Sequence, residues 1–345
     1  MASKKARWGL LSTARINERL IPCIRASSRS ELVAVASRDG ERARRYAADW
    51  QIPTSHDSYE ALLADPDVDI VYLSLPNSLH AEWNIKCADA GKHVLCEKPL
   101  AVTVEEVDRI AAAAQRNAVV LQEACMMRFH RQTDDVRRLV AEGAIGEARI
   151  VRSVFTFTLN RDDDIRLDPE LGGGVLWDLG SYQVSLAQAA LQQNPVEVIG
   201  WQVASDRGVD LSFSGQLRYP RGAIAQLFCS FQSAPAWNAE IVGTAGFMQL
   251  DEPYQNHPGT DGHIRLLREG SDASGATFSD DTEGMEEEML TYARANAYQD
   301  QVDAMVACVL DAAPPPLALA QSRGNIAAVT ALLESARTGK AIALR

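Results

Sequence analysis

The sequence predicts an α/β protein in two parts: a doubly wound parallel sheet over residues 1–125, followed by an α+β domain with a large, mostly antiparallel sheet over residues 126–345. Three observations predict it. From Arg7 to Ala124 short apolar runs alternate with helical patterns, which is how a parallel sheet with crossover helices reads. Beyond Arg128-Phe129-His130 the pattern changes to strands of period-two alternation joined by turns such as Tyr219-Pro220-Arg221-Gly222. A chain of 345 residues also exceeds what one core usually supports.

Composition narrows the function before any motif does. A net charge of -12 argues against a nucleic-acid or anionic-membrane partner, so an anionic ligand must be held by local groups. No apolar run reaches the roughly 20 residues of a membrane span, and no signal-peptide core follows Met1, so a cytoplasmic protein is expected. The six cysteines form no CxxC pair and read as buried thiols. The six histidines show neither HxH nor HExxH spacing, and no metal site is expected.

In the first part, strands are expected at Arg7–Leu11, Glu31–Ser37, Ile70–Leu75, His93–Cys96 and Val119–Ala124. Helices fill the gaps at about Asn17–Ala26, Glu41–Trp50, Tyr59–Ala64, Ala81–Ala90 and Thr103–Asn117. The first turn holds Ser12, Thr13, Ala14, Arg15 and Ile16, in the place of a G-x-G-x-x-G fingerprint. Ser12, Ala14 and Asn17 stand where glycines should be, but small residues still let a pyrophosphate approach a helix N-terminus. This dinucleotide-binding (Rossmann) reading rests on position more than on the motif.

The second strand ends in Ser37-Arg38-Asp39. Ser37 can donate to a 2′-phosphate and Arg38 can clamp it, which favours NADP and leaves NAD possible; Asp39 either serves the ribose or caps the next helix. The third ends in Leu75-Pro76-Asn77-Ser78-Leu79-His80, where Asn77 and His80 are candidate contacts to the nicotinamide riboside and Asn77 or Ser78 equally suits a cap. The fourth delivers Glu97-Lys98-Pro99 to the carboxyl end of the sheet, where ligands of open α/β folds bind. Lys98 is therefore a candidate catalytic or anchoring charge, against the competing reading of a solvated turn lysine. Thr103-Val104-Glu105-Glu106 is a capping box.

The second part opens with a helix at Thr133–Glu142, ended by Gly143 and Gly146. Strands are expected at Arg149–Leu159, Glu197–Ala204, Val209–Tyr219, Ala223–Gln232, Glu240–Leu250 and His263–Leu267, and an exposed acidic loop at Glu269–Glu283. Helices at Gln299–Ala312 and Ser322–Thr338 close the chain on either side of Pro314-Pro315-Pro316.

One segment there breaks the strand pattern: Gly172-Gly173-Gly174 followed by Val175 to Ala187 at helical spacing. Asp178 and Tyr182, four apart, share one helical face with Ser181 and Ser185, a stripe without Lys or Glu. A merely solvated face is the competing reading. The chemistry follows if Lys98 and Tyr182 meet. Hydride transfer at a carbinol carbon needs a proton moved at its oxygen, and a phenol near pKa 10 is a poor base at neutral pH. Lowering it by about 2 to 3 units takes roughly 3 to 4 kcal/mol, which an ammonium about 4 Å away supplies at an effective dielectric near 20. Asp178 would orient a substrate hydroxyl or the lysine.

Taken together, the first turn, Glu97-Lys98-Pro99, Glu123-Ala124 with Arg128-Phe129, and Gly172-Gly173-Gly174 through Asp178-Leu179-Gly180 resemble the glucose-fructose oxidoreductase/inositol dehydrogenase (Gfo/Idh/MocA) family over nearly the whole chain. The resemblance implies a Rossmann domain, a sheet domain that commonly mediates homodimers or homotetramers, a catalytic lysine at Lys98, Glu97 beside the cofactor and Arg128 near the substrate. Tyr182 stands where many members carry histidine, which is similar to the branch of dimeric dihydrodiol dehydrogenase and the NADP-dependent xylose dehydrogenases, where a tyrosine is assigned the proton transfer. That likeness implies an NADP-dependent oxidoreductase acting on a cyclic sugar or diol, with aldose oxidation at C1 favoured; Arg166 and Asp168, in the segment entering the glycine turn, are further candidate substrate contacts. A trans-dihydrodiol dehydrogenase or ketosugar reductase using the same residues is the alternative, and a non-catalytic NADP-binding regulator is the alternative of another class.

Overall fold

The computed structural model describes residues 5–161, 163–254, 261–269, 285–293 and 296–344. They form two compact units, the first of 1–129, 170–173 and 297–326, the second of 130–169, 174–296 and 327–345.

The first unit is a six-stranded parallel sheet of β1 (Ala6–Leu11), β2 (Ser30–Ala36), β3 (Thr54–His56), β4 (Ile70–Leu73), β5 (His93–Glu97) and β6 (Leu121–Ala124), in the order β3-β2-β1-β4-β5-β6. Strand order reverses between β1 and β4, and that is where the crevice at the carboxyl edge opens. The crossover helices are α1 (Asn17–Ala26), α2 (Gly40–Asp49), α3 (Tyr59–Ala64), α4 (His80–Asp89) and α5 (Val104–Arg116). Their starts follow the sequence: Asp39 caps α2, Ser58 caps α3 and Thr103 caps α5. In the last, Glu106 reaches back to the Val102 N–H at 3.0 Å, closing the expected box one residue early. Strand β3 carries no apolar run, only Thr54-Ser55-His56 on the sheet's edge, and the sequence pattern missed it for that reason.

The sequence reading put all of 126–345 into the second domain, and this needs correction at the C-terminus. Helix Ala297–Asp311 packs into the first unit, where Val302, Met305 and Val306 join a core with Trp8, Leu10, Ile24, Tyr72 and Leu95. Its apolar stripe covers the face of β1 and α1, an association that contiguity along the chain does not reveal. The division between units falls within helix Leu319–Thr338, after Ile326.

The second unit opens with α6 (Arg131–Ala141) and builds a nine-stranded sheet from β7 (Ala148–Thr158), β8 (Glu197–Ala204), β9 (Asp210–Arg218), β10 (Ile224–Ser230), β11 (Gln232–Gly243), β12 (Gly246–Asp251), β13 (Gly262–Glu269), β14 (Met285–Tyr292) and β15 (Ile342–Ala343). The order is β14-β13-β12-β11-β7-β10-β9-β8-β15, antiparallel except where β10 runs parallel to β7. Two expected strands divide. Ala223–Gln232 ends at Ser230, and the chain passes the end of β7 through Phe231 to begin β11 on its other side. Glu240–Leu250 is the hairpin β11–β12, turned at Thr244-Ala245. Strand β14 was missed because Glu286-Glu287-Glu288 reads as solvated, which suits the charged edge strand it is, with Glu287 bonded to Arg265 of β13. The acidic loop expected at Glu269–Glu283 lies, from 270 onward, outside the described residues.

Candidate active site

In the first unit, the turn after β1 solves its lack of glycine with side chains. Ser12 sits at φ 148°, a conformation glycine would favour, and is held there by three bonds. Its Oγ donates to Ser74 O at 3.0 Å and accepts from Ala14 N at 3.0 Å, while its carbonyl accepts from the fully buried Asn17 Nδ2 at 2.8 Å. Ser74 Oγ in turn donates to Asn17 Oδ1 at 2.7 Å, so β1, β4 and α1 are tied at the switch point. No side chain caps α1. Its N-terminus, carrying Thr13, Ala14, Arg15 and Ile16 ahead of it, keeps the backbone donors and positive dipole end that suit an anion.

At the end of β2, Ser37 is buried and Asp39 is committed as the α2 cap, accepting from Glu41 N and Arg42 N at 2.9 and 3.1 Å. Those backbone donors hold its carboxyl below the ordinary value. Asp39 therefore caps the helix, and the cations remain: Arg38 is exposed, and both it and Arg42 act on the phenol of Tyr59, opposing the burial that raises its pKa. Arg42 also reaches Thr13 O at 3.5 Å. The sequence reading missed Arg42, whose position one helical turn past Arg38 was the available signal.

After β4, Asn77 Nδ2 donates to Gly172 O at 2.9 Å, fixing the start of the glycine turn. His80 requires correction as a cofactor contact. Its ring is fully buried, with Nδ1 2.6 Å from Pro99 O and Nε2 2.8 Å from Leu75 O, so it braces the turns after β4 and β5 from within. Burial lowers its pKa, against the Pro99 and Leu75 carbonyls that raise it.

Lys98 is half-buried on the turn after β5, and its peptide bond to Pro99 is cis. Two carboxylates surround it in charge. Glu97 accepts from the Tyr72 phenol, and Glu123 on β6 accepts from Leu100 N at 3.1 Å. Burial raises the pKa of both, and the charge of Lys98 pulls each back down. Arg128, buried in the 3₁₀ turn Met126–Phe129, acts on Glu123 in the same sense. Glu123 was quoted only for the resemblance, and its electrostatic tie to Lys98 had no sequence signal.

In the second unit, the glycine turn leads into a π-helical turn, Leu176–Gly180, and then α7 (Ser181–Leu191). The expected regular helix is thus corrected: i→i+5 closure widens the turn that carries Asp178, shifting its phase relative to Tyr182. Such π segments cluster at functional sites. Of the polar stripe, Tyr182 and Ser185 are buried, while Asp178 and Ser181 are half-buried. The Tyr182 ring packs 5.9 Å from Phe155 and 6.3 Å from Tyr254, which themselves stack at 4.8 Å. That wall fixes the ring plane.

Asp178 is pinned. Arg166 Nε donates to its Oδ2 at 2.6 Å, and Arg166 Nη1 reaches Asp164 Oδ1 at 3.2 Å. The two carboxylates, Asp178 first, hold the guanidinium firmly protonated. Arg166 O also accepts from Gly174 N at 2.9 Å, so one residue braces both ends of the turn. Asp168 lies 3.5 Å from Arg207, and both are partly exposed.

Comparison with known proteins decides the family. The description "oxidoreductase family, NAD-binding Rossmann fold" matches residues 7–125, and the GFO/IDH/MocA C-terminal domain matches residues 133–249. The chain belongs to the GFO/IDH/MocA oxidoreductase family. It is 35% identical over 339 residues to the D-xylose 1-dehydrogenase (NADP(+)) 2 of Haloferax volcanii, covering 98% of this chain and 99% of that one. It is 33% identical over 250 residues to the trans-1,2-dihydrobenzene-1,2-diol dehydrogenase of Xenopus laevis, covering 71% and 74%. In structure it is similar to a 3-ketoreductase from Actinomadura kijaniata in complex with NADP and TDP-benzene, with a TM-score of 0.85, 29% identity and 97% and 98% coverage. This family member is an oxidoreductase, and its parallel sheet is the NAD-binding Rossmann fold. Among the described residues no helix is long and apolar enough to cross a membrane.

Proposed function

We propose that this oxidoreductase uses NADP to oxidise a cyclic aldose at C1, with Tyr182 as acid/base and Lys98 supplying the charge that makes the phenol a competent base. The observation that carries the reading is the commitment of Asp39 to the α2 cap: it leaves Ser37, Arg38 and Arg42 at the end of β2, a set that suits a 2′-phosphate and not a bare ribose. When bound, NADP would supply a nicotinamide ring able to accept a hydride. The chain's own residues do the rest. The α1 N-terminus and the Ser12 turn receive the pyrophosphate, and Tyr182 takes the proton from the C1 hydroxyl oxygen, so that loss of hydride from C1 and of the proton from its oxygen leaves the lactone carbonyl. Lys98 stabilises the phenolate electrostatically, in a partly buried place where such charge acts strongly. Asp178, anchored by Arg166, orients a sugar hydroxyl, with Asp168 as a further contact.

Similarity to a D-xylose 1-dehydrogenase over nearly all of both chains supports the aldose reading. The similar diol dehydrogenase and ketoreductase support the same residues working on a diol or in the reductive direction. We further propose that the enzyme is a cytoplasmic homo-oligomer; its six cysteines are all buried and none forms a disulfide among the described residues, as a reducing compartment allows. The nine-stranded sheet is the proposed interface, because Trp201, Val203, Ile224 and Phe228 expose 57%, 58%, 37% and 38% of their surface. The test is turnover with NADP and with NAD against a panel of aldoses, trans-diols and ketosugars, for wild type and Lys98→Met. Aldose oxidation with NADP that falls about a thousandfold in Lys98→Met supports the reading. Full activity in that variant refutes the mechanism, and NADP binding without turnover of any panel member would show a regulator.

A further inference from the structure

We propose that Asp210 is a positioning residue for the reaction: its buried carboxylate clamps the first residues of the π turn and so sets how Asp178 and Tyr182 are presented. The proposal rests on the assignment of Tyr182 as acid/base. Asp210 begins β9, is 4% exposed, and has no counterpart in the glycine motif, which ends 30 residues earlier at Gly180. Its Oδ2 accepts from Leu176 N at 2.7 Å, and the backbone N–H groups of Leu176, Asp210 and Val175 all favour its charged form. A Cβ on Gly174, at φ +129°, would lie 2.1 Å from Oδ1. The third glycine of the motif is thus explained by this carboxylate, which occupies the space a side chain would take.

A buried carboxylate is a costly way to cap a helix. Among the described residues no cation pairs with Asp210, so its charge is answered only by backbone N–H groups and the N-terminal end of the π turn. A neutral cap such as serine or asparagine would satisfy a donor at lower cost. What the carboxylate adds is a rigidly held pair of oxygens, Oδ2 gripping the first N–H of the π turn and Oδ1 filling the space beside Gly174, while an unusual i→i+5 turn forms beyond them. A turn so gripped cannot relax to ordinary α geometry without losing charge-assisted bonds. Relaxation would rotate the segment that carries Asp178 and leads directly into Tyr182.

The experiment compares Asp210→Asn and Asp210→Ser with wild type, measuring kcat, KM for sugar, KM for NADP and the thermal midpoint. At pH 8 a positioning role predicts kcat lowered by about 10- to 100-fold with KM for NADP within about 2-fold and no fall in thermal midpoint. A wild-type kcat in either soluble variant overturns it, as does a kcat loss matched by a lowered midpoint. Two insoluble variants would show a folding role alone and also overturn it. Tyr182→Phe, run alongside, separates the two claims: retained turnover there sinks the acid/base reading, whereas lost turnover there with normal kcat in Asp210→Asn sinks only the positioning role.

Discussion

Asp210→Asn should make the protein more stable at alkaline pH while making it a poorer enzyme. Burial pushes the Asp210 carboxyl from an ordinary 3.8 up to about 7, against the backbone donors that favour its charge. A folded-state pKa above the unfolded one means the folded protein holds the proton more tightly. Stability from this group is therefore fully present below about pH 4 and is lost as pH rises through about 7. The shift corresponds to a loss on the order of 4 kcal/mol above that point. Asparagine never ionises but accepts the Leu176 N–H without the charge, which costs about 1 kcal/mol. A net gain on the order of 2 to 3 kcal/mol is expected near pH 8, shrinking to nothing or reversing near pH 5. The groups on neighbouring elements do not blur this window. Asp178 is bonded to Arg166, the Cys229 thiol is pushed well above its ordinary value, and Arg149, Arg152 and Arg218 are exposed and paired with Glu147, Glu240 and Glu197. Urea unfolding of both proteins from about pH 5 to pH 8 reads the difference directly. A stability difference that stays constant across that range would refute the argument.

Cofactor choice should respond at the end of β2: Ser37→Asp is expected to shift the kcat/KM ratio of NADP over NAD by about 100-fold toward NAD, because the new carboxylate repels a 2′-phosphate. Removing the clamp with Arg166→Met should raise KM for the sugar about 10-fold and leave KM for NADP unchanged, read from steady-state kinetics. Its stability should fall by about 1 to 3 kcal/mol, since Asp178 and Asp164, only 15% and 13% exposed, lose their countercharge. Trp201→Asp with Phe228→Asp should lower the oligomeric state in sedimentation without changing the helical content, because both side chains are solvent-exposed on the sheet.

Much of this was legible in the sequence because local chemistry and topology agreed. The capping residues Asp39 and Thr103 mark helix starts, and apolar runs such as Ile70–Leu73 mark strands buried on both faces. Glu97-Lys98-Pro99 was legible as the end of a buried strand because the apolar run Val94 to Cys96 precedes it. What stayed hidden depended on partners far along the chain. The clamp on the glycine turn comes from Asp210, whose position at the start of a strand gives no hint of Leu176. His80 reads as a polar ligand contact until Leu75 O and Pro99 O are seen on either side of its ring. The π turn is invisible to pattern analysis, since Leu176 to Gly180 keeps apolar spacing compatible with an ordinary helix.

The central claim is that Lys98 and Tyr182 act as a unit on one proton. Single-turnover hydride transfer in wild type, Lys98→Met, Tyr182→Phe and the double variant tests it most directly. The account predicts that the double variant is about as slow as the slower single variant, because either loss alone disables the pair. Losses that multiply in the double variant would show two residues acting independently and would contradict it.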